Sequence, residues 1–290
     1  MLLRDIKNIF HKELNTLYPK EEVSSFFYLL IEHFLGLERF VLALQPDFVL
    51  SKKEEQPLFQ ALSELRLLRP VQYIMGKTHF MDLELTVNPN VLIPRPETEE
   101  LVRWILNDCH ADRRESITIL DIGTGSGCIA LTLAKNCPDA QVYALDVSEQ
   151  ALEVAQGNAE QNEVEITFLN ADIRNLDTLD ISFDIVVSNP PYVRETEKKE
   201  MRANVTDYEP KEALFVPDND PLLFYSAIIQ FSKNNLKKRG SLYLEVNQYL
   251  AQETRQLLED QNFTDIELRK DLFGNDRMLK GRWKNMRSET

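Results

Sequence analysis

The chain has 290 residues, of which 43% are hydrophobic and 28% are charged, as in ordinary soluble globular proteins. This length allows one large domain and a small one, and no apolar run is long enough to span a bilayer. The formal net charge of −14 opposes non-specific binding to nucleic acid. We therefore expect neither a membrane nor a directly bound nucleic acid as a partner.

The N-terminus and the cysteines indicate a cytoplasmic protein. The first residues, MLLRDIKNIFHKEL, carry charges throughout and do not resemble a secretory signal. Cys109, Cys128 and Cys137 form no CxxC pair and no metal-ligand pattern with the four histidines. We predict reduced thiols and no metal site.

Residues 1–70 have a helical pattern. Apolar residues recur at helical spacing from Leu2 to Leu14, and a second amphipathic helix over 23–36 stops at Gly36. Ser51 and Glu54 form a capping box, which predicts a helix that begins there and ends at Pro70. Without a glycine-rich loop or a cluster of titratable residues, this region is a packing or docking domain rather than a catalytic one.

The pattern changes at residue 71 and again at about residue 98. Residues 71–97 alternate loosely and contain the turn signal NPN at 88–90, which predicts a β-hairpin linker. From 98 to 290, apolar strand patterns alternate with helical ones, which is typical of an α/β domain with a parallel sheet covered on both faces. The predicted strands are 117–123, 141–147, 165–172, 183–189 and 241–246, and the predicted helices between them are 128–136, 149–162 and 221–236. Two more strands around Gly274 and Asn275 predict an antiparallel edge.

A glycine loop follows the first strand of this domain. Gly123, Gly125 and Gly127 allow a tight turn and let a ligand approach the backbone. The spacing G-x-G-x-G differs from the dinucleotide fingerprint, and the absence of GK[ST] excludes a phosphate-binding P-loop. We predict that the whole loop contacts a cofactor, with Thr124 and Ser126 between the glycines.

Carboxylates at the ends of the next two strands suggest a nucleoside. Asp146 ends the second strand and can accept both hydroxyls of a ribose. Asp172, placed at the end of the third strand, could accept from an adenine amino group. A cradle that lacks phosphate-binding residues suits a nucleoside without phosphate, for which S-adenosylmethionine is the common example.

At this point the chain resembles a known family. LDIGTGSGCIAL at 120–131, together with Asp146 and with SNPPY at 188–192, is similar to class I S-adenosylmethionine-dependent methyltransferases that act on amino groups. Within that group, residues 70–102, PVQYIMGKTHFMDLELTVNPNVLIPRPETEELV, closely resemble the HemK/PrmC family of peptide-chain release factor N5-glutamine methyltransferases. The resemblance covers nearly the whole chain.

The resemblance implies a fold, a reaction and a partner. The expected fold is a Rossmann-like class I methyltransferase domain over 98–290, with the hairpin linker over 71–97 and a small helical bundle over 1–70 that docks the substrate. The expected reaction is N5-methylation of a glutamine in the GGQ-type loop of class I peptide chain release factors.

The chemistry of an amide substrate explains the NPPY sequence. A carboxamide nitrogen is a poor nucleophile and must be aligned with the methyl group that it attacks. The Asn189 side-chain oxygen can accept one N–H, and the carbonyl of Pro190, which is rigid because proline fixes φ, can accept the other. Tyr192 can pack on the planar amide, and Pro191 completes the predicted substrate pocket. Alignment of this kind can lower a barrier by roughly 7–11 kcal/mol.

Four further residues have two interpretations each. Phe80 resembles a family residue near the substrate pocket, but it could equally be a buried aromatic residue of the hairpin. Arg95 and Glu97 are expected close to the cofactor, although PRPETEE also reads as a helix start with acidic residues in its first turn. Asp121 could meet the methionine ammonium group directly or through water, or it could bond only to the loop and the helix terminus.

Two other functions use the same residues. An N6-adenine DNA or RNA methyltransferase would apply Asn189 and Tyr192 to an exocyclic amine, but it must also hold phosphates and reach a flipped base. No separate target-recognition domain is visible, and the net charge opposes it. A non-catalytic binding module is opposed by the intact glycine loop and NPPY sequence.

Overall fold

The computed structural model describes residues 1–111 and 116–284. It divides the chain into two compact units. The first unit contains Met1–Lys77 and the short segment Arg202–Tyr208, and the second contains Thr78–Met201 and the chain from Glu209 onward. Among the helices of the described residues, none combines the length and the apolar character that crossing a membrane requires.

The described residues form eleven α-helices, eleven strands and three short 3-10 helices. The α-helices are α1 Leu3–Leu14, α2 Lys20–Leu35, α3 Val41–Leu44, α4 Lys52–Arg66, α5 Val71–Met75, α6 Pro96–Ala111, α7 Cys128–Asn136, α8 Glu149–Asn162, α9 Ala203–Thr206, α10 Leu223–Asn235 and α11 Ala251–Asp260. The strands are β1 Lys77–Phe80, β2 Leu83–Thr86, β3 Thr118–Ile122, β4 Gln141–Asp146, β5 Thr167–Asn170, β6 Phe183–Ser188, β7 Val193–Arg194, β8 Phe215–Val216, β9 Leu236–Glu245, β10 Phe263–Lys270 and β11 Asp276–Trp283. The 3-10 helices are Ile173–Asn175, Glu195–Glu200 and Lys211–Ala213.

In the first unit, apolar residues of α1, α2 and α4 form one core. The predicted stop of α2 at Gly36 is confirmed, since Gly36 adopts a left-handed conformation with φ of 64°. The capping box of Ser51 and Glu54 is also confirmed. The predicted end of α4 at Pro70 is wrong: the helix ends at Arg66, and Pro70 instead precedes the short helix α5.

The region 71–97 differs from the predicted hairpin linker. Residues 71–75 are helical, and the two hairpin strands cover only 77–80 and 83–86. Helix α6 already begins at Pro96. The short apolar stretch VQYIM has too little periodicity to distinguish one helical turn from a strand.

The second unit contains a seven-stranded sheet in the order β10-β11-β9-β6-β3-β4-β5. The five strands from β9 to β5 are parallel to one another, and β11 runs antiparallel to both β9 and β10. The predictions of an α/β fold with a parallel sheet and an antiparallel edge are therefore confirmed. Successive strand residues face opposite layers: Ile119 packs with α6 and α7, whereas Leu120 packs with α10 and α11.

The strand order determines where a ligand can bind. From β3 the chain proceeds to β4 and β5 on one side and then returns to β6 on the other side of β3. In sheets of this kind, ligands bind outside the carboxyl ends of the strands, where the order reverses. This places the candidate site at the ends of β3 and β6.

Candidate active site

The predicted site residues follow neighbouring strands at one edge of the sheet. Ile122 is in register with Ser188 of β6 and with Leu145 of β4, so the glycine loop lies between the SNPPY segment and Asp146. Leu244 of β9 is in register with Ser188, which brings Glu245 next to Asn189 at the same edge. Sequence reasoning missed Glu245, although a charged residue that ends an apolar strand was a usable signal.

A backbone hydrogen bond connects the glycine loop with Asp146. The Gly125 N–H donates to Asp146 Oδ2 at 2.9 Å, and the Ser148 N–H donates to Asp146 Oδ1 at 2.9 Å. Burial raises the pKa of Asp146, and these backbone N–H groups oppose the rise. The carboxylate is thus fixed in direction, and each oxygen can still accept a further hydrogen bond.

Asp121 lies beneath the loop, fully buried. Its Oδ2 accepts from the Thr124 hydroxyl at 2.7 Å and from the Ala130 N–H at 3.3 Å, whereas its Oδ1 has no partner among the described residues. Burial raises the pKa of Asp121 to about 7. The Ser126 hydroxyl in the loop is also buried, beside the thiol of Cys128.

These features fit a nucleoside cofactor with a cationic group. A buried carboxylate oxygen without a partner is costly, and a bound ammonium group would satisfy it. A Cβ atom built on Gly123 or on Gly125 meets no atom within 4 Å, so there is space beside the loop backbone. The residues present therefore fit S-adenosylmethionine.

Asp172 lies in a different environment from the one predicted. Strand β5 ends at Asn170, and Asp172 caps the following 3-10 helix. Its carboxylate accepts from the Arg174 backbone N–H and guanidinium and from the Asn175 amide. A capping role accounts for all of these contacts, and the adenine contact stays a prediction.

Asn189 is the first residue after β6. Its Nδ2 donates to the Thr98 hydroxyl at 3.1 Å. Among the described residues, no donor reaches Asn189 Oδ1 or the carbonyl oxygen of the buried Pro190. The segment thus provides two adjacent acceptors that are not used within the fold.

Tyr192 is anchored by its hydroxyl group. That hydroxyl donates to Glu245 Oε1 at 2.9 Å and accepts from Arg277 Nη1 at 3.4 Å. The Asn247 amide donates to the Tyr192 carbonyl at 2.9 Å. Burial and the Glu245 carboxylate hold the pKa of Tyr192 well above its usual value, so the phenol stays neutral.

The remaining predicted residues have structural contacts. Phe80 is only 1% exposed and lies in the core beside α6, which favours the buried-aromatic interpretation. Arg95 pairs with the buried Glu209, whose Oε2 also accepts from the Ile93 N–H at 3.1 Å. These bonds fasten the 93–95 loop. Glu97 lies in the first turn of α6, and contacts of Phe80, Arg95 and Glu97 with a ligand stay predictions.

Comparison with known proteins identifies the family. A model of the PrmC N-terminal domain matches residues 12–76, and a model of the methyltransferase small domain matches residues 103–207. A release factor glutamine methyltransferase from Flavobacterium psychrophilum is 50% identical over 281 residues, which are 97% of this chain and 99% of the relative. One from Bacteroides thetaiotaomicron is 44% identical over 92% of this chain and 95% of its own.

The chain belongs to the release factor glutamine methyltransferase family. The predicted resemblance, the enzyme class and S-adenosylmethionine as the methyl donor are thereby confirmed. The class I methyltransferase fold that the resemblance implied is also confirmed.

Solved structures agree on the fold. A methyltransferase from Pyrococcus furiosus has a TM-score of 0.50 at 16% identity and covers 81% of this chain and 100% of its own. A T. thermophilus 16S rRNA methyltransferase in complex with AdoMet and guanosine has a TM-score of 0.53 at 19% identity, over 72% of this chain and 50% of its own. At these identities the likeness concerns the fold of the methyltransferase family alone.

Proposed function

We propose that this protein transfers the methyl group of S-adenosylmethionine to the side-chain amide nitrogen of a glutamine in a class I peptide chain release factor. The observation that carries the proposal is the pair of unused acceptors, Asn189 Oδ1 and the Pro190 carbonyl oxygen, directly after β6. The printed names of the relatives support the same substrate.

A primary amide needs two acceptors on its nitrogen. It carries two N–H groups, and its lone pair is delocalised into the carbonyl group. When Asn189 Oδ1 accepts one N–H and the Pro190 carbonyl accepts the other, the plane and the direction of the amide are fixed. Tyr192 is held in place by Glu245 and limits the space beside the amide. The residues of the chain thus contribute alignment, which is a large source of acceleration.

The donor site is built from the glycine loop and two carboxylates. Bound S-adenosylmethionine would supply an electrophilic methyl group on a sulfonium. The amide nitrogen would bond to the methyl carbon as its C–S bond breaks, with release of S-adenosylhomocysteine and of one proton from the amide NH2 group. Asp146 is fixed by Gly125 and Ser148 and would accept from the ribose. The Oδ1 of Asp121, which has no partner among the described residues, would accept from the ammonium group, and the loop residues Gly123 to Gly127 would hold the nucleoside.

The proposal includes a cellular location for the reaction. We place the reaction in the cytoplasm, where thiols such as Cys109, Cys128 and Cys137 stay reduced.

The adenine alternative would use the same acceptors, but the family membership favours glutamine. The net charge of −14 is also unfavourable for a nucleic-acid substrate.

Incubation with radiolabelled methyl donor tests the proposal. Purified class I release factor, ribosomal proteins, DNA and RNA are offered separately, and mass spectrometry then locates the label. We expect label on one glutamine amide of the release factor. Label on an adenine, or on no substrate at all, would contradict the proposed function.

Substitution of Asn189 tests the role of its side chain. Asn189→Ala removes one acceptor, so we expect kcat to fall on the order of 100-fold while calorimetry shows unchanged cofactor affinity. Asn189→Asp retains an acceptor oxygen and should keep more activity than the alanine variant. Wild-type rates for Asn189→Ala on the release factor would exclude this role.

A further inference from the structure

Three hydrogen-bonded side chains connect Asn189 at the candidate site with Glu245 at the end of strand β9 through Thr98. Glu245 Oε2 accepts from the Thr98 hydroxyl at 2.6 Å, and Thr98 Oγ1 accepts from Asn189 Nδ2 at 3.1 Å. Thr98 lies in the first turns of α6, and Glu245 ends β9. The three residues are 91 and 147 positions apart along the chain, and only the fold brings them together.

The direction of these bonds follows from the chemistry of each group. An ionised carboxylate can only accept, and a hydroxyl has a single proton to donate. Glu245 therefore accepts the hydrogen bond that the Thr98 hydroxyl donates, and Thr98 can only accept from its other neighbour. The side chain of Asn189 must then turn its NH2 group toward Thr98, and its oxygen points the other way.

The orientation of Asn189 decides whether the site can bind an amide nitrogen. With Oδ1 toward the substrate, an N–H of the glutamine finds an acceptor. With the side chain flipped, the NH2 group of Asn189 would face the NH2 group of the substrate, and two donors repel each other. Without hydrogen-bonding neighbours, the side-chain amide of an asparagine can adopt either orientation.

We propose that Thr98 and Glu245 are positioning residues that lock the Asn189 side-chain amide with its oxygen toward the substrate. The inference rests on the proposed function, since it names the groups that orient the acceptor used there. Thr98 is one hydrogen bond away from Asn189 and Glu245 is two, so the role assigned to both is indirect.

The surroundings of Glu245 support this role. The side chain is 1% exposed, and Oε1 is separately fixed by the Tyr192 hydroxyl at 2.9 Å. Burial raises the pKa of Glu245, and Glu97 on α6 adds to the rise, whereas the hydrogen bonds from Thr98 and Tyr192 and the charge of Arg277 on β11 oppose it. Two hydroxyl donors and a nearby guanidinium suit an ionised carboxylate. A buried carboxylate is rarely the most stable choice at such a position, so its presence here points to a function.

A matched pair of substitutions at Thr98 tests the proposal. Thr98→Val keeps the shape of the side chain but removes the hydroxyl, whereas Thr98→Ser keeps the hydroxyl. We expect Thr98→Val to lower kcat on the release factor by about 10–100-fold, with cofactor Kd unchanged within about twofold. Thr98→Ser should retain most of the wild-type kcat. Equal kcat values for the valine and serine variants would overturn the proposal.

A double-mutant cycle separates positioning from general damage. If Thr98 acts through Asn189, then Thr98→Val should cost almost nothing further in the Asn189→Ala background. Glu245→Gln should also lower kcat, but part of its effect passes through Tyr192, whose hydroxyl donates to Glu245, so the cycle uses Thr98 alone. Full additivity of Thr98→Val and Asn189→Ala would contradict the inference.

An NMR measurement that does not depend on methyl transfer tests the positioning separately from the proposed function. The side-chain amide protons of Asn189 can be identified by NMR as the pair of signals lost in Asn189→Ala. We expect these signals to shift in Thr98→Val and Glu245→Gln and to be kept in Thr98→Ser. If the wild-type protein methylates no glutamine but the shifts occur, the proposed function fails and the positioning stands. Unchanged signals in the valine variant would refute the positioning.

Discussion

At the residue scale, Asp121 lowers the stability of the folded protein without ligand but offers an acceptor oxygen to a cationic ligand. It is fully buried, one oxygen has no partner among the described residues, and burial raises its pKa to about 7. Thr124 and Ala130 oppose the shift with hydrogen bonds, and the nearby charge of Asp146 adds to it. The ionised form is therefore unfavourable until a cation binds beside Oδ1.

This arrangement predicts how cofactor affinity depends on pH. Below pH 7 the Asp121 carboxyl group must lose a proton before it can bind an ammonium group. We expect the affinity for S-adenosylmethionine to fall by up to about tenfold for each pH unit below 7, as calorimetry between pH 5 and pH 8 can measure. In Asp121→Asn the affinity should be weak, with a flatter pH profile. Burial also raises the pKa of Asp146. Asp146→Asn is therefore the matched control, which shows how much of the pH dependence of affinity belongs to Asp146.

The same shift predicts a change in stability of the opposite sign. Because the pKa of Asp121 is higher in the folded state than its unfolded value of about 3.9, its contribution to stability is complete below pH 4 and is lost as the pH rises to 7. Without cofactor, Asp121→Asn should therefore raise Tm relative to wild type, and by more at pH 8 than at pH 5. A variant that lowers Tm at pH 8 would show that the carboxylate is stabilising.

At the element scale, the glycine loop joins β3 to α7 and serves two purposes with different glycines. Gly127 precedes α7 with φ of +83°, and a Cβ there would lie 2.3 Å from Leu131 Cδ1 and 3.2 Å from Ala155 Cβ. Gly125 also has a positive φ, +55°, but a Cβ there meets nothing within 4 Å. A methyl group at Gly127 would therefore displace Leu131 and press on Ala155 of α8, whereas the space beside Gly125 is open.

Alanine substitutions should separate these two purposes. Gly127→Ala combines an unfavourable backbone conformation with overpacking, which costs about 1–3 kcal/mol for the overpacking alone. Gly125→Ala has only the backbone cost, about 1–2 kcal/mol, but places a methyl group toward the cofactor. We expect chemical denaturation to show the larger loss for Gly127→Ala, and calorimetry to show weaker cofactor binding by Gly125→Ala even where the protein is fully folded. The reverse order of stabilities would contradict this division.

At the scale of the whole molecule, the first unit is not built from the N-terminal helices alone. Arg202 Nη1 lies 3.1 Å from Glu22 Oε2, and the Tyr208 hydroxyl donates to the Leu67 carbonyl at 2.6 Å. Both residues come from the segment 202–208, which follows the NPPY sequence. A deletion of residues 1–70 would remove both of these partners, so point substitutions are the better test of the docking role predicted for the helices.

Exposed apolar residues on α3 provide such a test. Phe40 and Leu44 are 66% and 75% exposed and lie one helical turn apart. If the helical unit docks the release factor, the double variant Phe40→Ser and Leu44→Ser should raise KM for the intact protein by about tenfold. Its KM for a short glutamine peptide and its Tm should not change. Leu67→Ser is a control of similar exposure, 70%. An unchanged KM for the intact release factor would exclude this face as the docking surface.

The sequence by itself determined the five parallel strands, helices α7 and α8 and the segments that carry chemistry. Helices α7 and α8 begin and end at the predicted residues, and all five parallel strands lie within one or a few residues of their predictions, except that β9 starts earlier. The glycine loop and SNPPY were visible because each is a short, local pattern that follows a buried strand. Periodicity, turn residues and caps act over a few residues, so they can be recognised without knowledge of the fold.

Only the tertiary structure decided how the side chains at the site are held. The bond from Thr98 to Glu245 and the pairing of Arg95 with Glu209 join residues more than 100 positions apart, and no local pattern specifies such partners. The burial of Phe80 depends likewise on what packs around it. A sequence pattern indicates which groups can bond, but the folded chain determines which of them come within 3 Å.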